Sequence, residues 1–86
     1  MLKAEIRITL KKAVSDPQGL TIKRALESLG YQDLEDVRIG KFVVIRLRCK
    51  DINSAQEQID GMCKKLLANP IIEEYQFKIE EEGRTA

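Results

Sequence analysis

From Leu2 to Leu10 every even position is apolar (Leu2, Ala4, Ile6, Ile8, Leu10) and every odd one polar (Lys3, Glu5, Arg7, Thr9). A strict period of two is the signature of an extended strand with one buried face. Whatever the chain folds into must cover one side of a sheet and leave the other open. With 86 residues there is material for one core only, since domains commonly run to roughly 100–150 residues. Chains shorter than about 80 residues often add a disulfide, a metal or self-association, so association is expected from the outset.

The rest of the chain continues the layer. Asp16-Pro17 offers an N-cap followed by proline at the first helical position, where its missing N–H would be unpaired anyway. Ile22, Ala25, Leu26 and Leu29 follow at the spacing of one helix face, and Gly30 can take the left-handed conformation that ends a helix, so a helix is expected over Pro17 to Leu29. Val37 and Ile39 then alternate with Asp36 and Arg38, Gly40-Lys41 interrupts, and Phe42 to Cys49 is β-rich, which reads as strand, tight connection, strand. Ser54 and Glu57 at capping-box spacing open a second helix whose buried stripe is Ala55, Ile59, Met62, Cys63 and Leu66 and which Asn69-Pro70 closes. Behind Ile71-Ile72, the alternation of Tyr75, Phe77 and Ile79 with Glu74, Gln76 and Lys78 makes a last strand.

The order β-α-β-β-α-β is that of an α+β, ferredoxin-like split sandwich: a four-stranded antiparallel sheet with two helices on one face. Residues 1–80 form the single domain on this reading, and 81–86, from the acidic Glu80-Glu81-Glu82 run onward, a disordered tail. On the open face Phe42 and Val44 stand beside Arg46 and Arg48, and apolar side chains exposed there point to a protein partner.

Composition excludes several classes. A net charge of +1 is too small to attract a polyanion, so nucleic acid is disfavoured. Cys49 and Cys63 lie fourteen residues apart, with no Cys-x-x-Cys and no histidine, which leaves neither a zinc set nor a redox motif and points to two free thiols in a reducing compartment. The start lacks the continuous apolar run of a signal peptide, and no stretch approaches the ~20 apolar residues of a membrane span. Cytoplasmic residence is the expectation. Without histidine no Ser-His or Cys-His pair can form, Glu73 and Glu74 point to opposite faces of a strand and read as solvated, and no catalytic residue, cofactor site or metal site is expected in this chain. Gly40-Lys41 fails as a phosphate loop, because Glu35 stands where the first glycine belongs and Phe42 where Ser or Thr would hold magnesium. It reads either as a tight turn with a solvated lysine or as a turn presented to a partner. Asp16-Pro17-Gln18-Gly19 is likewise either a helix start or an interaction loop.

Three functions fit such an architecture. An RNA-recognition module needs aromatic platforms that the first strand, with Lys3, Glu5, Arg7 and Thr9 outward, does not have. A small-ligand, amino-acid-sensing module often carries an acidic residue and a glycine before its first helix, as Asp16 and Gly19 do here. A subunit-bridging module needs a rigid sheet, exposed apolar residues and specific loops, all of which are present.

Three segments taken together, Asp16-Pro17-Gln18-Gly19, Val37-Arg38-Ile39-Gly40-Lys41 and Met62-Cys63-Lys64-Lys65-Leu66-Leu67-Ala68-Asn69-Pro70, followed by Ile72-Glu73-Glu74-Tyr75, resemble one family in order and spacing. It is PurS, the small subunit of phosphoribosylformylglycinamidine synthase, and the resemblance runs from about Ile6 to Phe77 with no departure at a motif position. Each motif alone is common; the three in order are specific. The resemblance implies a non-catalytic subunit of a purine-biosynthesis ligase that makes formylglycinamidine ribonucleotide from formylglycinamide ribonucleotide, glutamine and ATP. It implies as partners a glutaminase subunit that releases ammonia and a synthetase subunit that uses ATP and magnesium, with this chain bridging them and assisting ammonia transfer. It also implies homodimers, which would bury Phe42 and Val44. The partner-facing residues expected on this reading are Asp16, Pro17, Gln18, Gly19, Arg38, Gly40, Lys41, Asn69 and Pro70.

Overall fold

The structure, a computed structural model, describes residues 1–82. Its frame is an antiparallel sheet in which β1 (Leu2–Leu10) lies between β2 (Gly40–Leu47) and β3 (Glu73–Glu81). Ile6 stands opposite Val43 on one side and Phe77 on the other, and Arg7 opposite Phe42 and Gln76. The period of two thus runs in phase across the strands: Leu2, Ala4, Ile6 and Ile8 are buried on one face, and Lys3, Glu5, Arg7 and Thr9 lie on the other.

Helix α2 (Ile52–Met62) packs on β1 and β3 and adds Ala55 and Ile59 to the core. Its N-cap is Asp51, whose carboxylate accepts from the Asn53 and Ser54 N–H groups at 3.2 and 3.3 Å, so the cap lies three residues before the expected Ser54. Beyond Met62 the helix widens into a π turn over Cys63–Leu67, closed by the Ala68 N–H donating to the Cys63 carbonyl at 2.9 Å. The extra residue in that turn shifts the inward position by one. Cys63 is buried and Leu67 packs on the core, whereas Leu66, expected inside, is 83% exposed.

Helix α1 (Pro17–Ser28) forms as its cap predicts, and Gly30, at φ 105°, adopts the left-handed conformation just beyond its end. It does not lie on the sheet as α2 does. Of its residues only Gly19 is buried, and the stripe expected in the core is open: Ile22, Ala25 and Leu29 are exposed.

The sheet has three strands among the described residues, against four expected. Val37-Arg38-Ile39 is not a strand because the β1–β2 ladder ends at Thr9 opposite Gly40, and residues 33–39 run on past the end of β1 with no strand to pair with. Gly40 accordingly opens a strand and does not make a turn. A Cβ there would meet the Ile8 carbonyl oxygen at 2.8 Å. The acidic end also differs from expectation: Glu81 belongs to β3, and Glu82 is held by its N–H on the Met1 carbonyl (3.0 Å) and by the Arg46 guanidinium (2.9 Å). The remaining expected tail, 83–86, lies outside the described residues.

The resulting molecule is flat, 49 × 36 × 15 Å, with a radius of gyration of 16.7 Å. A compact chain of this length would have about 12 Å.

Ile59→Ala is expected to cost about 2–5 kcal/mol, because Ile59 is fully buried between α2 and the sheet. Leu66→Ala should cost under about 0.5 kcal/mol. Urea denaturation of the two variants checks which of them faces the core.

Candidate functional site

Asp16 is a buried carboxylate with two backbone partners. Its Oδ1 accepts from the Gly19 N–H at 2.9 Å, capping α1, and its Oδ2 accepts from the Ile39 N–H at 2.7 Å, fastening the returning chain to the helix start. The Ile39 N–H first, then the Gly19 N–H, hold this carboxyl below its ordinary range, and the nearby Arg38 guanidinium adds to them. The returning chain passes so close that a Cβ on Gly19 would sit 2.0 Å from the Val37 carbonyl oxygen. No side chain fits there. Arg38 closes the other side, donating from Nη2 to the carbonyls of Lys11 (2.9 Å) and Val14 (3.0 Å), and Lys23 Nζ donates to the Glu35 carbonyl at 3.2 Å. Helix α1 and residues 31–39 are thus tied to each other and to the end of β1 as one arm.

The network continues across the same end of the sheet. Lys11 donates its backbone N–H to the Ile72 carbonyl and its Nζ to the Pro70 carbonyl, both at 2.9 Å. Asn69 folds the Asn69-Pro70 turn on itself, its side chain accepting from the Ile71 N–H at 3.0 Å and its carbonyl from the Glu73 N–H at 2.7 Å. Glu73 then joins two motifs: one carboxylate oxygen accepts from the Asn69 N–H at 2.7 Å and the other lies 3.7 Å from Lys41 Nζ.

The three motif segments, remote in sequence, therefore meet at one end of the sheet. Pro17, Gln18, Arg38, Gly40, Lys41, Asn69 and Pro70 are exposed there, while Asp16 and Gly19 lie beneath as the support. Gln18, Thr21, Ile22 and Ile39 line an apolar groove at the rim of the same end. Phe42 and Val44 lie on the open sheet face, 53% and 40% exposed, with the Arg7 guanidinium 5.2 Å from the Phe42 ring centroid, and Phe42 adjoins the cluster through a shallow hollow that it lines with Gly40 and Lys41.

Two contributors escaped sequence reasoning. Glu73 read as a solvated charge and Lys11 carried no signal, and only the register that sets Glu73 opposite Leu10 brings both to the motif loops. A third group, on the α2 side, is Asp60, which accepts from the Tyr75 hydroxyl and lies 2.9 Å from Lys64 Nζ. The Tyr75 hydrogen bond, then Lys64, lowers the Asp60 pKa, and the same bond pushes Tyr75 up to about 12. Burial raises the neighbouring Cys63 thiol. Lys64 is the i+4 partner of Asp60, a spacing visible in the sequence. Among the described residues no three His, Cys, Asp or Glu side chains gather as metal ligands, and no helix is long and apolar enough to cross a membrane.

The profile of the PurS family, phosphoribosylformylglycinamidine (FGAM) synthase, matches residues 3–81. The phosphoribosylformylglycinamidine synthase subunit PurS of Methanocaldococcus jannaschii is 42% identical over 81 residues, which cover 94% of this chain and 98% of the relative. The crystal structure of Methanocaldococcus jannaschii PurS, one of the subunits of formylglycinamide ribonucleotide amidotransferase in the purine biosynthetic pathway, matches with a TM-score of 0.88 at 41% identity, over 96% of this chain and 100% of that one. A chain of PurLQS from Thermotoga maritima matches with a TM-score of 0.84 at 29% identity, over 92% and 96%.

Because the native Asp16 pKa lies below its ordinary 3.8, its stabilisation is complete above that value and is lost as pH falls through the lower native one. The stability gap between the wild type and Asp16→Asn, measured by urea denaturation, should therefore narrow from pH 7 to pH 3. Tyr75 has the opposite sense: its contribution is intact below pH 10.0 and fades as pH rises toward about 12. In a Tyr31→Phe background, phenolate absorbance should titrate near 12, and adding Asp60→Asn should bring the midpoint down.

Proposed function

Since this chain belongs to the PurS family of phosphoribosylformylglycinamidine synthase subunits, we propose that it is the non-catalytic adaptor of that C–N ligase, bridging its glutaminase and synthetase subunits and assisting ammonia transfer between them. The observation that carries the proposal is the convergence of Asp16–Gly19, Arg38–Lys41 and Asn69–Pro70 on one braced end of the sheet. A surface assembled from three remote segments and fixed by hydrogen bonds beneath is suited to recognising another protein, because its loops are ordered before binding.

The chemistry of the reaction supplies the reason for an adaptor. Ammonia released at one active site must reach another without escaping to water or taking a proton, so the two sites must be held together with solvent excluded between them. A chain doing this needs faces and not a nucleophile. ATP and magnesium belong, on this reading, to the synthetase partner. The match to a chain of PurLQS supports assembly into a complex of this kind. The adaptor acts in the cytoplasm as a homodimer, with Phe42 and Val44 offering a surface for contact between copies. The amino-acid-sensing alternative loses its motivation, since both oxygens of Asp16 accept bonds within the chain and a backbone carbonyl crowds Gly19.

Turnover by separately purified glutaminase and synthetase subunits, with glutamine or free ammonia as nitrogen donor, tests the proposal. Glutamine-dependent turnover is expected to require this chain and ammonia-dependent turnover to proceed without it. If neither responds to the chain, the adaptor reading fails. Lys41→Glu, at an exposed position, should leave the fold intact and weaken complex formation.

A further inference from the structure

The π turn at the end of α2 sets Leu67 on the core and turns Leu66 out to 83% exposure. Ile71, beyond Asn69-Pro70, is 79% exposed. No other large apolar side chain among the described residues is as open as either. The backbone that carries them is fixed. Ala68 is buried, and its N–H on the Cys63 carbonyl (2.9 Å) closes the turn behind Leu66. Asn69 holds the next turn, with its N–H on the Glu73 carboxylate (2.7 Å) and its side-chain oxygen on the Ile71 N–H (3.0 Å). Two aliphatic side chains are thus presented to water on ordered backbone, so only their rotamers remain to be fixed on binding.

The charge beside them is of one sign. Residues 63–72 contain Lys64 and Lys65 and no carboxylate. The turn after β1 adds Lys11 and Lys12, and it is bound to this segment by the Lys11 N–H on the Ile72 carbonyl and Lys11 Nζ on the Pro70 carbonyl. Asp60 takes up Lys64 at 2.9 Å, but Lys11, Lys12 and Lys65 make no ion pair among the described residues. A chain of net charge +1 therefore gathers unpaired positive charge around its two most exposed aliphatic side chains.

Resting on the adaptor reading above, we infer that Leu66 and Ile71 are the apolar anchor by which this chain seats in a catalytic subunit of the ligase, in a socket ringed with carboxylates. An apolar centre with a charged edge is the anatomy of a protein contact, and large side chains near its middle carry most of the binding energy. The carboxylates follow from the lysines, which would otherwise face like charge or none. Continuity with the docking end also names a protein as the occupant, since Asn69 and Pro70 lie between the two anchors. A bilayer surface would call for a helix with one broad apolar face. Here the two side chains stand on separate turns with an asparagine between them.

Association of the full chain with each purified catalytic subunit, with all substrates and magnesium present, tests the anchor by biolayer interferometry. Leu66→Ala and Ile71→Ala should each weaken binding to one of the two subunits by about tenfold or more, while their urea midpoints stay at the wild-type value. Ile52→Ala trims a 44% exposed side chain at the other end of α2 and should leave binding unchanged. Lys12→Glu with Lys65→Glu should weaken the same association and flatten its dependence on salt. Wild-type affinity in both alanine variants, or an equal loss in Ile52→Ala, would overturn the anchor. So would a change in the sedimentation of Leu66→Ala alone in solution, which would assign the side chain to a second copy. Leu66-dependent binding to phosphatidylserine vesicles with subunit binding unchanged would overturn it in favour of a membrane. If the wild type binds neither subunit, the adaptor reading fails and the anchor with it; if it binds and the variants bind as tightly, only the anchor fails.

Discussion

Two backbone N–H groups, from Gly19 and Ile39, point at one carboxylate, and the placement of the whole arm follows from that. Asp16 would be an ordinary N-cap with the first bond alone. The second ties the helix start to a residue twenty-three positions later, so α1 and the returning chain cannot separate without leaving a buried charge unsatisfied. Gly19 is the steric condition of the same contact, since any larger residue would push the Val37 carbonyl away. Arg38 is its counterpart outside, gripping the carbonyls of the turn that follows β1.

The effect of that tie is to take α1 off its own sheet. A hairpin-like arm fixed at its root to the end of β1 cannot fold back over β2, so the chain remains a flat layer with half its helices displaced. The loops that mark the family are brought to the root of the arm by the same bonds and by the Glu73 link between Lys41 and Asn69.

Elsewhere the structure relies on less specific forces. The core of Ala4, Ile6, Ile8, Ile59, Cys63 and Ala68 is hydrophobic burial between one helix and one sheet face. The Asp60–Tyr75 bond adds a polar tie from α2 to β3 at the edge of that core, and the ion pairs across the open face, Lys3–Glu80 and Lys78–Glu5, are exposed enough to contribute little individually.

The amino-acid sequence by itself determined the local elements: β1 from its alternation, α1 from Asp16-Pro17, the phase that buries Ile59 and Cys63, and the family from three short motifs. These are legible because a strand's faces and a helix's cap depend on residues only a few positions away. It misplaced the start of α2, since Asp51 and Ser54 are both acceptable caps and the choice depends on where the chain leaves β2. It also placed Leu66 inside, because nothing in a run of Lys-Lys-Leu-Leu announces a turn one residue wider than an α-helix. The tertiary structure alone decided that Val37 to Ile39 lies past the end of β1 and makes no ladder, that Asp16 reaches Ile39, and that Glu73 links Lys41 to Asn69. Each depends on register between segments far apart in the chain, and register is fixed only when the strands have met.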